Sequence, residues 1–137
     1  MTNAPSMTNA PSVWPGLLCT DARATIRFLV EAFGFVETIV VPGEQDGEIM
    51  HAEVRWPEGG IVMIGSDDRR GEFADHNRPG TNSFYVVTDR PDEVFARATA
   101  AGAQVVRAME DTDYGSRGFT VRDPEGNLWS FGTYRGS

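Results

Sequence analysis

Two hydrophobic periodicities alternate along this chain, and they do so twice in the same order. Between Thr20-Asp21 and Gly34 the apolar residues Ile26, Leu29, Val30 and Phe33 fall at i, i+3, i+4 and i+7, the spacing of one helix face. Asp21 suits the N-cap, where a carboxylate accepts from backbone N–H groups that have no partner within the helix, and Gly34 suits the left-handed residue that ends it. Thr88-Asp89 opens a second such stretch closed by Gly102; both its ends lie 68 residues beyond their counterparts. There Pro91 fits the first turn, Asp92 and Glu93 meet the positive end of the helix dipole, and Val94, Ala98 and Ala101 supply a stripe of smaller residues.

Each helix is framed by strand-like segments. Residues 13–19 precede the first, and 35–41, 48–56 and 61–64 follow it, separated by Pro42-Gly43, Asp46-Gly47 and the Pro57 to Gly60 turn. The second half repeats the order with 82–88, the helix, 104–109, 118–122 and 128–134. The pattern predicts an α+β domain of two βαβββ modules, 13–66 and 81–137, joined by a polar linker over 67–80, with helices on one face of a curled, largely antiparallel sheet. Residues 1–12 duplicate the hexapeptide MTNAPS and lack an apolar face, which predicts a disordered tail and makes Met7 an alternative start.

Alternation assigns faces to the strands. Phe84 and Val86 share one side of their strand, with Ser83, Tyr85 and Val87 on the other; Trp129 and Phe131 face the helices, leaving Leu128, Ser130 and Gly132 on the open side. Small and hydroxylated residues there either leave room for a ligand or relieve crowding in a curved sheet.

Charge narrows the partners. With 20 acidic against 12 basic residues the chain lacks the cationic surface that drives binding to nucleic acid or anionic lipid. No apolar run approaches the ~20 residues of a membrane span, and no leader-like segment is evident. The single cysteine, Cys19, lies in an apolar stretch and fits a reducing compartment, so the expected location is the cytoplasm.

The module order, the Asp-led helix ending in Phe33-Gly34-Phe35, and above all the run Asp123-Pro124-Glu125-Gly126-Asn127-Leu128-Trp129 together resemble the vicinal oxygen chelate superfamily, which includes glyoxalases, bleomycin-resistance proteins and extradiol dioxygenases. The resemblance implies a homodimer. It also implies inward metal ligands on the first and last strands of each module in the metal-dependent members. Here those positions fall on Trp14, on Met63 or Ile64, on Ser83 and on Ser130, none of them a ligand suited to a hard divalent ion. No metal and no cofactor is therefore expected.

His51 and Glu53 share a strand face, as two metal ligands lacking an evident third, as a base with its orienting carboxylate, or as solvated surface residues; His76 falls in the polar linker as a surface residue. No phosphate loop, nucleophile elbow or cysteine pair occurs. Trp14, Tyr85, Tyr114, Met63 and Trp56 offer apolar recognition surface. Arg117 offers a planar cation to a ligand carboxylate or phosphate, or else a surface salt bridge. The expected ligand-binding set is Trp14, His51, Met63, Ser83, Tyr85, Tyr114, Arg117 and Ser130. The expected function is metal-free binding of a small molecule, a drug or a metabolite; the alternative is a lyase or isomerase of the same superfamily, either metal-free with His51 or Tyr85 as its acid or base, or with relocated metal ligands.

Overall fold

The computed structural model describes residues 10–67 and 76–137. Most of the expected tail and of the linker, over 1–9 and 68–75, lies outside the described residues. The element order is β1 (Gly16–Cys19), α1 (Ala22–Phe28) running into a π-helical turn (Leu29–Phe33), β2 (Val36–Pro42), β3 (Ile49–Arg55) and β4 (Ile61–Ser66). The second module follows with β5 (Ser83–Val87), α2 (Pro91–Ala100), β6 (Gln104–Asp111), β7 (Arg117–Arg122) and β8 (Leu128–Gly132). The strands form two four-stranded sheets of order β1-β4-β3-β2 and β5-β8-β7-β6, with β1–β4 and β5–β8 parallel and the other pairs antiparallel. The α+β class and the doubled βαβββ order are those read from the repeat.

The helix signals act as expected at their ends. Asp21 accepts from the Ala24 amide at 3.1 Å, and Gly34 closes the π turn at φ 91°, a left-handed value that glycine adopts at no steric cost. The π turn displaces the stripe: Ile26, Leu29, Ala32 and Phe33 are buried while Val30 is only partly covered. Ala101 is exposed at the C-cap of α2, so the buried stripe there reduces to Val94 and Ala98.

One core serves both modules. Phe33, Phe35 and Trp56 from the first meet Trp129 and Phe131 from the second at ring-centroid separations of 4.7 to 5.7 Å, and Phe84 stacks on Trp129 at 4.2 Å. Such ring pairs contribute about 0.5–1.5 kcal/mol each beyond the area they bury. Trp56, expected as recognition surface, is instead 5% exposed and donates its indole N–H to the Val87 carbonyl, bridging the modules.

Polar groups fasten the same seam twice. The Glu125 carboxylate accepts from the Thr20 and Asp21 amides at 2.7 and 3.0 Å, at the start of α1. Reciprocally, Glu58 accepts from the Thr88 hydroxyl and the Asp89 amide at 2.7 and 2.8 Å, at the start of α2. Each glutamate follows a proline in the turn before its own module's last strand or hairpin and caps the helix of the other module. The second turn is held by Asp123, whose buried carboxylate accepts from the Glu125 and Asn127 amides, the Asn127 side chain and the Trp129 indole, all at 2.9 to 3.0 Å.

Candidate functional site

Face assignment along β5 and β8 fixes where a ligand has room. Phe84 pairs with Trp129 and Val86 with Phe131, all four turned toward the core. Tyr85 pairs with Ser130 and Val87 with Gly132, turned away from it. On that open side Ser83, Tyr85, Ser130 and Gly132 join Thr112, Tyr114, Ser116 and Gly118 from the β6–β7 hairpin, and Arg107 and Glu110 from β6, around a cleft of about 360 Å³.

Two glycines of this cleft are demanded by close approach of their neighbours. A methyl group at Gly132 would stand 2.9 Å from the Tyr85 hydroxyl and 3.3 Å from the Ser116 hydroxyl, so the tyrosine ring crosses the strand only because no side chain is there. At Gly118 it would run into the Phe131 carbonyl. Tyr85 is anchored by its hydroxyl, which donates to the Tyr134 carbonyl at 2.7 Å, and the Tyr134 ring packs edge-on against Tyr114 at 5.6 Å. All three tyrosines of the chain thus gather at the rim. Beside the cleft, the paired Thr120 and Ser130 share a hydrogen bond of 2.7 Å between their hydroxyls. Arg107 reaches toward Thr120 and pairs with Glu110 at 3.4 Å.

Ser83, Tyr85, Tyr114 and Ser130, four of the expected binding residues, therefore line one cleft. Arg117 lies on the neighbouring strand but is held by Asp92 at 2.8 Å and Asp111 at 2.9 Å. Their hydrogen bonds push its pKa up and, with Arg117 as the cause, pull that of Asp92 down. It braces α2 against the end of β6, its donors engaged within the protein. Arg107 is the cation of the cleft instead. Alternation along β6 did not disclose it, because two register shifts, between Val105 and Arg107 and between Arg107 and Glu110, decide which residues face inward.

The remaining candidates belong to the first module. Trp14 precedes β1 and its indole N–H donates to the Pro11 carbonyl at 2.9 Å. On the open face of the first sheet, His51 and Glu53 meet at 2.8 Å between Nε2 and Oε2, with Met63 paired opposite Glu53. Leu17 and Ile64 pair toward the core, as Val86 and Phe131 do, so Met63, paired with Gly16, and Gly65, paired with Leu18, lie on the outward face. His76 is exposed, as expected of a surface residue. Among the described residues, no three His, Cys, Asp or Glu side chains come together in an arrangement able to hold a metal ion. No helix among them is long and apolar enough to cross a membrane.

Comparison with known proteins agrees with this architecture. Residues 13–131 match the model of the Glyoxalase/Bleomycin resistance protein/Dioxygenase superfamily. An uncharacterized protein of Mycobacterium tuberculosis strain H37Rv is 39% identical over 128 residues, 89% of this chain and 74% of the relative. Among solved structures, TioX from Micromonospora sp. ML1 superposes with a TM-score of 0.74 at 32% identity, covering 92% of this chain and 100% of TioX. A lactoylglutathione lyase from Agrobacterium tumefaciens shares the fold at 20% identity and a TM-score of 0.67, covering 89% of this chain and 92% of the lyase. The doubled βαβββ architecture and the match across nearly the whole chain place this protein in the Glyoxalase/Bleomycin resistance protein/Dioxygenase superfamily.

Proposed function

We propose that this chain is a metal-free small-molecule-binding protein that holds an organic drug or metabolite in the cleft of its second sheet and sequesters it as a homodimer. The observation that carries the reading is the convergence of Ser83, Tyr85, Tyr114 and Ser130, with Arg107, around one cleft of about 360 Å³. A concavity of a few hundred Å³ with aromatic walls and a few polar groups is the usual form of a small-molecule site. Tyrosine faces supply stacking area at low entropic cost, the hydroxyls orient polar atoms, and Arg107 meets an acidic group on the ligand.

Donor chemistry supports the metal-free reading. A hard divalent ion takes carboxylate oxygen or neutral imidazole, whereas Ser83 and Ser130 offer neutral hydroxyls, Trp14 a donor-only indole and Met63 a thioether. The residues at these positions do not fit the metal of the metal-dependent relatives, and no step is routed through one.

The dimer is supported by the edge of the first sheet. Val36 and Ile39, on the edge strand β2, are 41% and 44% exposed. Exposed apolar side chains on an unpaired edge strand support packing against a second copy. Cys19, buried and unpaired, suits the reducing cytoplasm. A lyase or isomerase is the second reading, and the His51–Glu53 pair is the observation that favours it.

The test is elemental analysis of purified protein after incubation with Zn²⁺, Ni²⁺, Mn²⁺ and Fe²⁺ and desalting, with melting temperatures recorded on the same samples. Far less than one equivalent of metal per chain and an unchanged melting temperature are expected. One tight equivalent with a raised melting temperature overturns the metal-free reading.

A further inference from the structure

The open face of the first sheet carries a polar pair that the cleft of the second sheet does not use. His51 Nε2 lies 2.8 Å from Glu53 Oε2, with side-chain exposures of 40% and 27%, and His51 Nδ1 has no partner among the described residues. Val41 pairs with His51, Ile39 and Met63 flank Glu53 on either side, and Arg55 follows Glu53 on the same strand face.

Two glycines on this face are not demanded by the fold. Gly16 and Gly65 lie in β1 and β4 outside the left-handed region. A methyl group at Gly16 would meet nothing closer than 3.9 Å, and one at Gly65 nothing closer than 3.4 Å. Glycine weakens a strand interior, and a methyl group would make ordinary contacts with Met63 at the first position and with Leu18 at the second, so each glycine leaves a methyl-sized notch in this face. Gly65 follows Ile64, which pairs with Ala52, and His51 precedes Ala52, so Gly65 and His51 stand side by side on the outward face.

A carboxylate on Nε2 holds the proton there and presents the Nδ1 lone pair outward, as an orienting acid does for a catalytic histidine. From this geometry we infer that the first sheet bears a proton-accepting subsite for a weakly acidic hydroxyl on an apolar, aromatic body, that is, a phenol. On binding, the O–H bond breaks and its proton passes to Nδ1. The electron pair stays on the phenolate oxygen, and the imidazolium is stabilised by Glu53 at Nε2. His51 is the group that touches the ligand, and Glu53 is a positioning residue. The inference rests on the proposed small-molecule binding and adds to the cleft of the second sheet a second subsite, on the first, with its ligand chemistry.

The test uses the full chain with 4-nitrophenol, whose phenolate is yellow, at a pH below the phenol's own pKa. Bound probe is expected to show the phenolate band, and His51 imidazole signals to shift in a saturable way while those of His76, the only other histidine, stay still. Losing a hydrogen bond to a charged group weakens binding at least about tenfold, which is the effect expected of His51→Gln. Glu53→Gln is expected to bind the probe but lose the phenolate band, a change that mere loss of packing does not produce. Shifts at Ser83, Tyr85 and Ser130 with none at His51 would overturn the subsite and leave the ligand-binding reading standing. Binding as the neutral phenol, unaffected by His51→Gln, would also overturn it. No saturable shift on either sheet would count against both.

Discussion

Replacing Glu125 by alanine removes one of the two inter-module caps without touching the core. Its carboxylate accepts from two backbone amides at 2.7 and 3.0 Å, and Thr20 and Asp21 are otherwise exposed. A hydrogen bond to a charged group contributes about 1.5–3 kcal/mol when shielded, and a favourable helix-terminus charge about 0.3–1 kcal/mol at the surface. Discounting the pair of bonds for solvent access leaves an expected loss of about 2 kcal/mol. For a chain of this length each kcal/mol lowers the melting temperature by about 3–5 °C, so a drop of about 6–10 °C is expected.

Urea unfolding followed by tryptophan fluorescence reads this directly, because Trp56 and Trp129 both lie in the shared core. Glu125→Gln keeps one acceptor oxygen and is expected to lose about half as much. Glu58→Ala is expected to cost at least as much as Glu125→Ala, since its carboxylate accepts from the buried Thr88 hydroxyl as well as from the Asp89 amide at the start of α2. A loss below about 0.5 kcal/mol for Glu125→Ala, the range of an ordinary surface substitution, would refute the capping argument.

Further expectations rest on other contacts. Gly132→Ala is expected to displace the Tyr85 ring, lowering affinity for cleft ligands and costing about 1–2 kcal/mol by overpacking; Tyr85 and Ser116 chemical shifts check the displacement. Asp123→Ala leaves the buried Trp129 indole and Asn127 amide without their acceptor, with an expected cost of about 3–5 kcal/mol in chemical denaturation. Burial pushes the Cys19 thiol from its ordinary 9.0 up to about 12, against the pull of its hydrogen bond with Thr25 and with help from nearby carboxylates. Because the folded-state value is raised, this contribution to stability is complete below pH 9.0 and is lost as the pH rises toward about 12. The folded protein is therefore expected to resist thiol reagents near neutral pH and to react only on unfolding, which a colorimetric thiol assay measures.

The fold was legible in the sequence because its repeat is carried by residues with strict backbone or capping roles. Asp21, Gly34, Pro91 and Gly102 act where their chemistry places them, and period-two alternation correctly sorted Phe84 from Tyr85 and Trp129 from Ser130. The site was only partly legible. Ser83, Tyr85, Tyr114 and Ser130 meet in one cleft, but Arg107 and Glu110 enter it through two register shifts in β6 that alternation does not reveal. Arg117 illustrates the converse: a cation beside the cleft in sequence is bound by Asp92, 25 residues away on α2, a partner fixed only by tertiary packing. Trp56 and Trp14 show that an aromatic side chain alone does not say whether it joins the core or lies at the surface.

The most direct measurement is amide chemical-shift mapping of the chelator-treated protein against a panel of amphipathic drugs and metabolites. Saturable shifts clustered at Ser83, Tyr85, Thr120 and Ser130 without added metal are the expected result. Ligand shifts that appear only after a divalent metal is restored, or that avoid the second sheet altogether, would contradict metal-free binding in its cleft.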